Sequence, residues 1–374
     1  MVIFLLTFIL LYGGIHVYAL IRADSIFHFT AAAKVIIIVV LLILVFVPFL
    51  VRIAEGRHLE TLARTIAYGG YLWMAFIFMF FFLQVSFDIL CFFVKYFPGG
   101  RAIASLNEIA WWTLTFLAMI LVVYGFIDAA RVRVVNIEMR TDYVLPGDGK
   151  VRIVQISDVH VGLIIQERRI KLVLDKVKEA NPDILTCTGD LLDGELDNVL
   201  PLADLFHEVR PRFGKYAVTG NHEYYAGIDR ALEFTRRAGF EVLRDETRRV
   251  AGINIIGIDD VAGRKFGAIK ENSPPAKSLP VSSESGFILL LKHQPVVNGH
   301  DKFDLQLSGH THAGQLIPFR LFTWLLFPQD YGLYPLAENK LLYVSAGTGT
   351  WGPPVRIFAP PEITVIDLVG QKGN

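Results

Sequence analysis

Five short polar clusters stand in fixed order between residues 158 and 312: Asp158-Val159-His160, Gly189-Asp190, Gly220-Asn221-His222-Glu223, His293, and Gly309-His310-Thr311-His312. They supply two Asp, one Asn and up to five His, all hard or borderline metal ligands. Each lies at or near the end of an apolar run that reads as a strand. Donors converging from several strand ends are what a two-metal hydrolytic site requires. Taken singly, D-x-H or G-D is weak, because Asp and His near turns are common. The ordered set carries the signal. Asn221 is an unusual neighbour for two ionisable groups at a strand end, and His310 and His312 alternate so that both can approach one locus from a loop.

The elements that must position these residues follow from periodicity. Val151–Ser157 suits a buried strand ending at Asp158. Glu167–Ala180 has helical spacing, with Ile170, Val173, Leu174 and Val177 on one face, and Asn181-Pro182 stops it. Asp183–Thr188 and Tyr216–Thr219 read as strands, and Asn198–Val209 and Ile228–Ala238 as helices. This alternation predicts an α/β fold. Further on, Ile253–Ile258, Phe287–Leu291, Leu305–Leu307, Leu341–Val344 and Ile363–Leu368 are strand candidates, with a Pro- and Ser-rich exposed loop at Asn272–Ser285. The expected architecture is two packed mixed β-sheets flanked by helices. Asp259 and Asp260 read as loop residues after a strand.

The first third of the chain has a different character. The sequence is 374 residues long and 53% hydrophobic, with mean hydropathy +0.45, too apolar for an ordinary soluble protein. Four uncharged runs, near Met1–Ile21, Val35–Val51, Gly69–Val94 and Ile109–Ile127, are long enough to span a bilayer. The first lacks a basic leader and a small-residue cleavage site, so it reads as a retained helix. An all-α bundle of about four helices is therefore expected over residues 1–130. A junction at 131–150 contains the turn Leu145-Pro146-Gly147-Asp148-Gly149, and a catalytic domain follows at 151–370. Asp88 reads as a helix-end residue near Lys95. Arg52, Arg57, Arg64, Arg131, Arg133 and Arg140 flank the side shared with the C-terminal domain, against Arg22, Lys34, Lys95 and Arg101 on the other. This bias predicts a cytoplasmic catalytic domain. Formal net charge is zero, so no global field points to nucleic-acid binding. Two cysteines, Cys91 and Cys187, suggest neither a disulfide framework nor a thiolate zinc site.

The polar series D-x-H, G-D, G-N-H-E, H and G-H-x-H resembles the calcineurin-like metallophosphoesterase superfamily over roughly residues 150 to 370. The tail Gly347-Thr348-Gly349, Pro353-Pro354-Val355-Arg356 and Pro360-Pro361-Glu362 is similar to the membrane-tethered bacterial subgroup. The resemblance implies two divalent ions, Mn, Fe, Zn or similar. Asp158, His160 and His312 would hold one, Asn221, His293 and His310 the other, and Asp190 would bridge them. It implies hydrolysis of a phosphodiester, pyrophosphate or phosphomonoester by a metal-bridging hydroxide, with His222 as general acid and Glu223 orienting an imidazole. The four apolar runs predict a multi-pass protein, and the likeness to a bacterial subgroup implies the bacterial inner membrane.

The stretch Gln315–Leu336 is apolar but too broken by Pro and Gly to span a membrane. It reads either as a loop folded onto its own domain or as a segment dipping into the lipid interface. In the second case it would admit a lipid-linked phosphoester with Arg320 or Arg356 near the phosphate. Cleavage of a UDP-diacylglucosamine-type pyrophosphate is one alternative. A membrane receptor or transporter with a regulatory phosphoesterase-like domain is another, of a different class. The sequence sets no oligomeric state.

Overall fold

The computed structural model describes residues 2–97, 106–194, 199–268, 286–299 and 301–373. The Asn272–Ser285 stretch, Arg101 and the start of the Asn198–Val209 segment lie outside them. The chain forms two compact units: residues Met1–Ile127 with Gly352–Ile357, and residues Asp128–Trp351 with Phe358–Asn374.

The first unit is helical: α1 (Val2–Phe27), α2 (Ala31–Val45), α3 (Val47–Glu55), α4 (Glu60–Val94) and α5 (Asn107–Asp128). Helices α1, α4 and α5 are long and apolar enough to cross a membrane; α2 and α3 make a fourth span if taken as one. The second expected run is thus broken, with a bend of 50° between α2 and α3. Pro48, in the first turn of α3, has no N–H to continue the ladder of α2. Asp88 does not turn to Lys95. Its carboxylate meets Arg22 at 2.7 Å and Tyr18 Oη at 2.6 Å, and accepts from Gln84 Nε2 at 3.3 Å.

The second unit holds two six-stranded sheets. In chain order its elements are β1 (Arg133–Leu145), β2 (Lys150–Ile156), α6 (Glu167–Ala180), β3 (Ile184–Cys187), α7 (Ala203–His207), β4 (Lys215–Ala217), α8 (Asn221–Ala226) and α9 (Ile228–Arg237). Then come β5 (Glu241–Val242), β6 (Glu246–Val250), β7 (Ile253–Ile258), α10 (Ala262–Lys265), β8 (Phe287–Lys292), β9 (Leu305–Ser308), α11 (Ile317–Leu326), β10 (Gly332–Pro335), β11 (Leu341–Val344) and β12 (Glu362–Lys372). The first sheet runs β1-β12-β2-β3-β4-β5 and the second β10-β11-β9-β8-β7-β6. Strands β2 to β5 are mutually parallel, as are β7, β8, β9 and β11.

Alternation within the strands explains the sandwich. Val151 and Ile153 of β2, Ile184 of β3, Ile253 and Ile255 of β7, Leu289 and Leu291 of β8, and Leu305 and Leu307 of β9 share one apolar core. Val154 and Ile156 point to the opposite face of the first sheet and are also buried. One strand pairs far from its place in the sequence, and one expected helix is shortened. The last strand, β12, joins the first sheet, antiparallel to β2 and parallel to β1. The expected helix at 198–209 is reduced to a single turn at Leu200–Leu202 followed by the short α7. Because the central strands of both sheets are parallel, their C-terminal ends gather at one edge, where crossing loops can carry ligands.

Candidate metal centre

Every residue of the five clusters sits just past one of these strand ends. Asp158 and His160 follow β2, and Asp190 follows β3. Asn221 and His222 open α8 after β4. His293 follows β8, and His310 and His312 follow β9. The turns that aim them are backbone-strained. Asp158, His160, Asp190, His310 and His312 all have positive φ, between 49° and 73°. Such conformations cost non-glycine residues free energy and collect at functional sites. The motif glycines serve close approach. A Cβ on Gly220 would lie 2.2 Å from Asp190 Oδ1, and one on Gly309 would lie 2.1 Å from Asp158 Oδ2. Neither position tolerates a side chain without displacing a carboxylate. The C-terminal tail closes the same turn: Thr348 N–H donates to Ser157 O and Gly349 N–H to Asp158 O.

The side chains form two groups. Asp158, His160 and His312 place one ligand atom each within 4.8 Å of one another. His160 Nε2 and His312 Nε2 are 3.0 Å apart, and His312 Nε2 is 3.5 Å from Asp158 Oδ1. Asp190, His293 and His310 form the second group. His310 Nδ1 is 3.1 Å from His293 Nε2, which is 3.2 Å from Asn221 Oδ1. Asp190 Oδ2 stands between the groups, 3.2 Å from His293 Nε2 and 3.9 Å from His160 Nε2. All seven expected ligand residues therefore converge.

These donors fit cations. Asp158 and Asp190 are buried, and among the described residues neither pairs with Lys or Arg. Buried carboxylates faced by imidazoles, with no Lys or Arg, form a hard and borderline donor set that suits a divalent cation. Burial pushes the Asp158 carboxyl up, with Asp190 adding to the effect. Burial also acts on Asp190, but the imidazoles of His293 and His222 outweigh it and hold that carboxyl well below its usual range. Burial and the neighbouring His293 hold His310 down to about 3, which keeps its nitrogen lone pair available for a metal.

His222 sits edge-on to His160, with ring centroids 4.6 Å apart. Its Nδ1 pairs with the backbone carbonyl of Asp193 and lies 3.4 Å from the Asp193 carboxylate. Burial lowers its basicity, but Asp190 and Asp193 outweigh burial and hold it up to about 9. Asp193 is a residue that the sequence reading missed. It also lies 3.3 Å from His160 Nδ1, and it forms a third ligand-capable group with His160 and His222. Its signal was the spacing Asp190-x-x-Asp193, which returns a second carboxylate to the same locus after one turn of loop.

Glu223 does not orient an imidazole. Its carboxylate accepts from the backbone N–H groups of Gly220, Asp190, Leu191 and Leu192, and so holds the turns carrying Asn221 and Asp190. His293 is instead oriented by the carbonyl of Thr188, 2.8 Å from its Nδ1. Asp259 and Asp260 are loop residues but buried ones. Asp259 accepts from Thr219 Oγ1 and Arg244, and Asp260 from Gln294 Nε2 and Ala262 N–H. Arg356 is fully buried, and Arg320 is paired with Asp330 at 2.8 Å.

Comparison with known proteins points to one family. Residues 151–314 match the calcineurin-like phosphoesterase family. A metallophosphoesterase of Aquifex aeolicus is 37% identical over 264 residues, 69% of this chain and 100% of its own length. A transmembrane protein with metallophosphoesterase domain from Danio rerio is 33% identical over 266 residues, 67% of this chain and 61% of that one. The solved 5'-nucleotidase precursor from Thermus thermophilus overlaps 59% of this chain and 54% of its own at 17% identity, with a TM-score of 0.33, too slight a likeness to carry an argument.

Proposed function

The chain belongs to the metallophosphoesterase family, and from that premise we propose that it is a membrane-anchored phosphohydrolase working with two divalent ions, Mn, Fe, Zn or similar. Asp158, His160 and His312 hold one ion; Asn221, His293 and His310 hold the other; Asp190 bridges them. The observation that carries this reading is the position of Asp190 Oδ2 between the two groups, within 4 Å of an imidazole nitrogen in each. When bound, the ions supply an acidified water and offset charge on the phosphoryl oxygens. His222 gives a proton to the leaving oxygen. Asp193 occupies its Nδ1, which leaves Nε2 for the substrate, and keeps the ring charged.

The organic part of the phosphoester is apolar, and lipid-linked. This is supported by the rings at the site. Tyr225 and Trp351, each about half exposed, lie against His222 at centroid distances of 5.2 and 6.1 Å, and Phe327 lies 5.1 Å from His310. Residues 1–130 anchor the chain, 131–150 join it to the catalytic domain, and 151–370 carry the chemistry. The anchor is multi-pass in a bacterial inner membrane, with the catalytic domain on the cytoplasmic side as the arginine bias favours.

The test is metal removal. Purified full-length protein treated with chelator stops hydrolysing bis(p-nitrophenyl) phosphate, and added Mn²⁺ restores the activity. Hydrolysis that continues in excess chelator would reject the reading.

A further inference from the structure

Helix α11 is built the wrong way round for water. Ile317, Leu321, Trp324 and Leu325 share one face by their i, i+4, i+7, i+8 spacing, and they are 48%, 59%, 52% and 64% exposed. Leu326 beyond them is 76% exposed, and the helix has no buried residue. Its one charged side chain, Arg320, is paired with Asp330 through Nε at 2.8 Å and Nη2 at 3.3 Å, and Thr323 Oγ1 donates to the Arg320 carbonyl within the helix. A soluble surface helix buries its apolar residues; this one exposes them.

The helix is also fastened to the metal-ligand turn. A Cβ on Gly314 would lie 2.3 Å from Arg320 Cα, and Gly314 has φ of +76°, so the turn and the helix touch backbone to backbone. Asp330, which holds Arg320, also accepts through its carbonyl from Thr311 Oγ1, between His310 and His312. Phe327, just past the helix, packs on the His310 ring. Whatever covers the outer face of α11 is therefore held at a fixed place relative to the site.

We propose that α11 is an interfacial anchor whose outer face lies in the surface of the bilayer, so that the site takes its phosphoester from the lipid plane. The occupant is lipid for three reasons. Ten residues cannot cross a membrane but can lie in its interface. Trp324 is of the residue type enriched at that depth. Finally, α5 ends at Asp128 and β1 begins at Arg133, a connection that reaches at most roughly 15–18 Å when extended. A patch of this kind on a domain so closely tethered to apolar spans marks a membrane contact. The proposal rests on the phosphohydrolase reading only for the nature of the substrate; the lipid contact stands on the helix itself.

The experiment uses the full chain in phosphatidylcholine–phosphatidylglycerol nanodiscs, with Cys91→Ser to remove the one partly exposed thiol, since Cys187 is buried. An environment-sensitive NBD fluorophore is attached at Trp324→Cys or, for reference, at Glu246→Cys on the edge strand β6. At 324, lipid carrying a doxyl group at acyl carbon 5 quenches the dye several-fold more than at 246, and aqueous iodide several-fold less. In the Leu321→Glu/Leu325→Glu background, whose side chains are exposed and not needed for folding, the doxyl quenching at 324 falls to the level at 246. Equal iodide quenching at both positions puts α11 in water and overturns the proposal. Protection from both quenchers puts it against protein, the chain's own spans or a second copy, and overturns it equally. Mn²⁺-dependent turnover of bis(p-nitrophenyl) phosphate by the same samples separates the two readings. Its absence beside doxyl quenching at 324 sinks the phosphohydrolase assignment alone, and its presence beside a water-exposed α11 sinks the lipid contact alone.

Discussion

Asp88 in the helical unit and Asp190 in the sheet unit are both acids in largely apolar surroundings, and they are answered differently. Asp88 meets a guanidinium at 2.7 Å, a phenol and an amide, so its charge is matched by the protein itself. Asp190 meets imidazoles and the backbone N–H of His222, and among the described residues no Lys or Arg. The first arrangement is complete without any other component and joins α1 to α4. The second gathers carboxylates and imidazoles with no Lys or Arg among them, a donor set that suits a divalent cation. On the proposed reading, the difference separates a structural acid from a metal-binding one better than burial does.

Substitutions around each acid sharpen the contrast. Among residues outside the proposed metal ligands, the largest effect is expected at His222. His222→Ala should lower kcat on an alkyl phosphodiester, whose leaving alkoxide needs a proton, by about 10²–10⁴-fold, the range of general acid catalysis. Asp193→Asn should cost about 10- to 100-fold by loosening His222 and His160 together. Single-turnover rates at saturating Mn²⁺ separate these from weakened metal binding; full activity in His222→Ala would reassign the proton donor. Asp88→Asn should leave turnover of the soluble diester within two-fold while lowering the thermal midpoint of the helical unit, since breaking the pair strands Arg22. The cost is on the order of 1–3 kcal/mol for a partly exposed pair. Loss of soluble-diester turnover in that variant would instead favour a working role for the helices.

The smallest effect belongs to an acid that is answered in full at the surface of the first sheet. Arg152 grips Asp367 through Nε and Nη2 at 2.7 and 3.0 Å, and Lys150 adds a contact at 2.8 Å. Arg152 above all holds the Asp367 carboxyl below its ordinary value. A depressed carboxyl stabilises the fold at pH values above its unfolded value of about 4, and that contribution is lost as pH falls through the folded value. Asp367→Asn should therefore lower stability by about 1 kcal/mol at pH 7 and by progressively less below pH 4, read as the gap in Tm between variant and wild type. A gap independent of pH would show that packing, not charge, is responsible.

Much of this is legible in the sequence because the signals are local. Val151–Ser157, Glu167–Ala180, Ile253–Ile258 and Leu341–Val344 announce themselves by period, and the strand-end clusters by residue type. What is not legible depends on distant partners. β12 enters the first sheet between β1 and β2, a pairing across more than two hundred residues that no local pattern encodes. Sequence suggests an imidazole partner for the Glu223 carboxylate, but four backbone N–H groups take it once the Gly220 and Asp190 turns come together. Ile317–Leu326 resembles a broken loop in sequence because Pro318 punctuates it. Pro at the first turn of a helix is a start signal, and the segment is helical from there on. The one charge on it, Arg320, is answered by Asp330, ten residues later.

The most direct test of the two-ion account is a count of metal. Full-length protein and Asp190→Ala, each stripped with chelator, loaded with Mn²⁺ and desalted, are assayed by mass spectrometry for ions per chain. Wild type should retain two, and Asp190→Ala one or none, with its hydrolysis abolished. One ion per chain in a fully active wild type, or two in Asp190→Ala, would contradict the bridging role of Asp190.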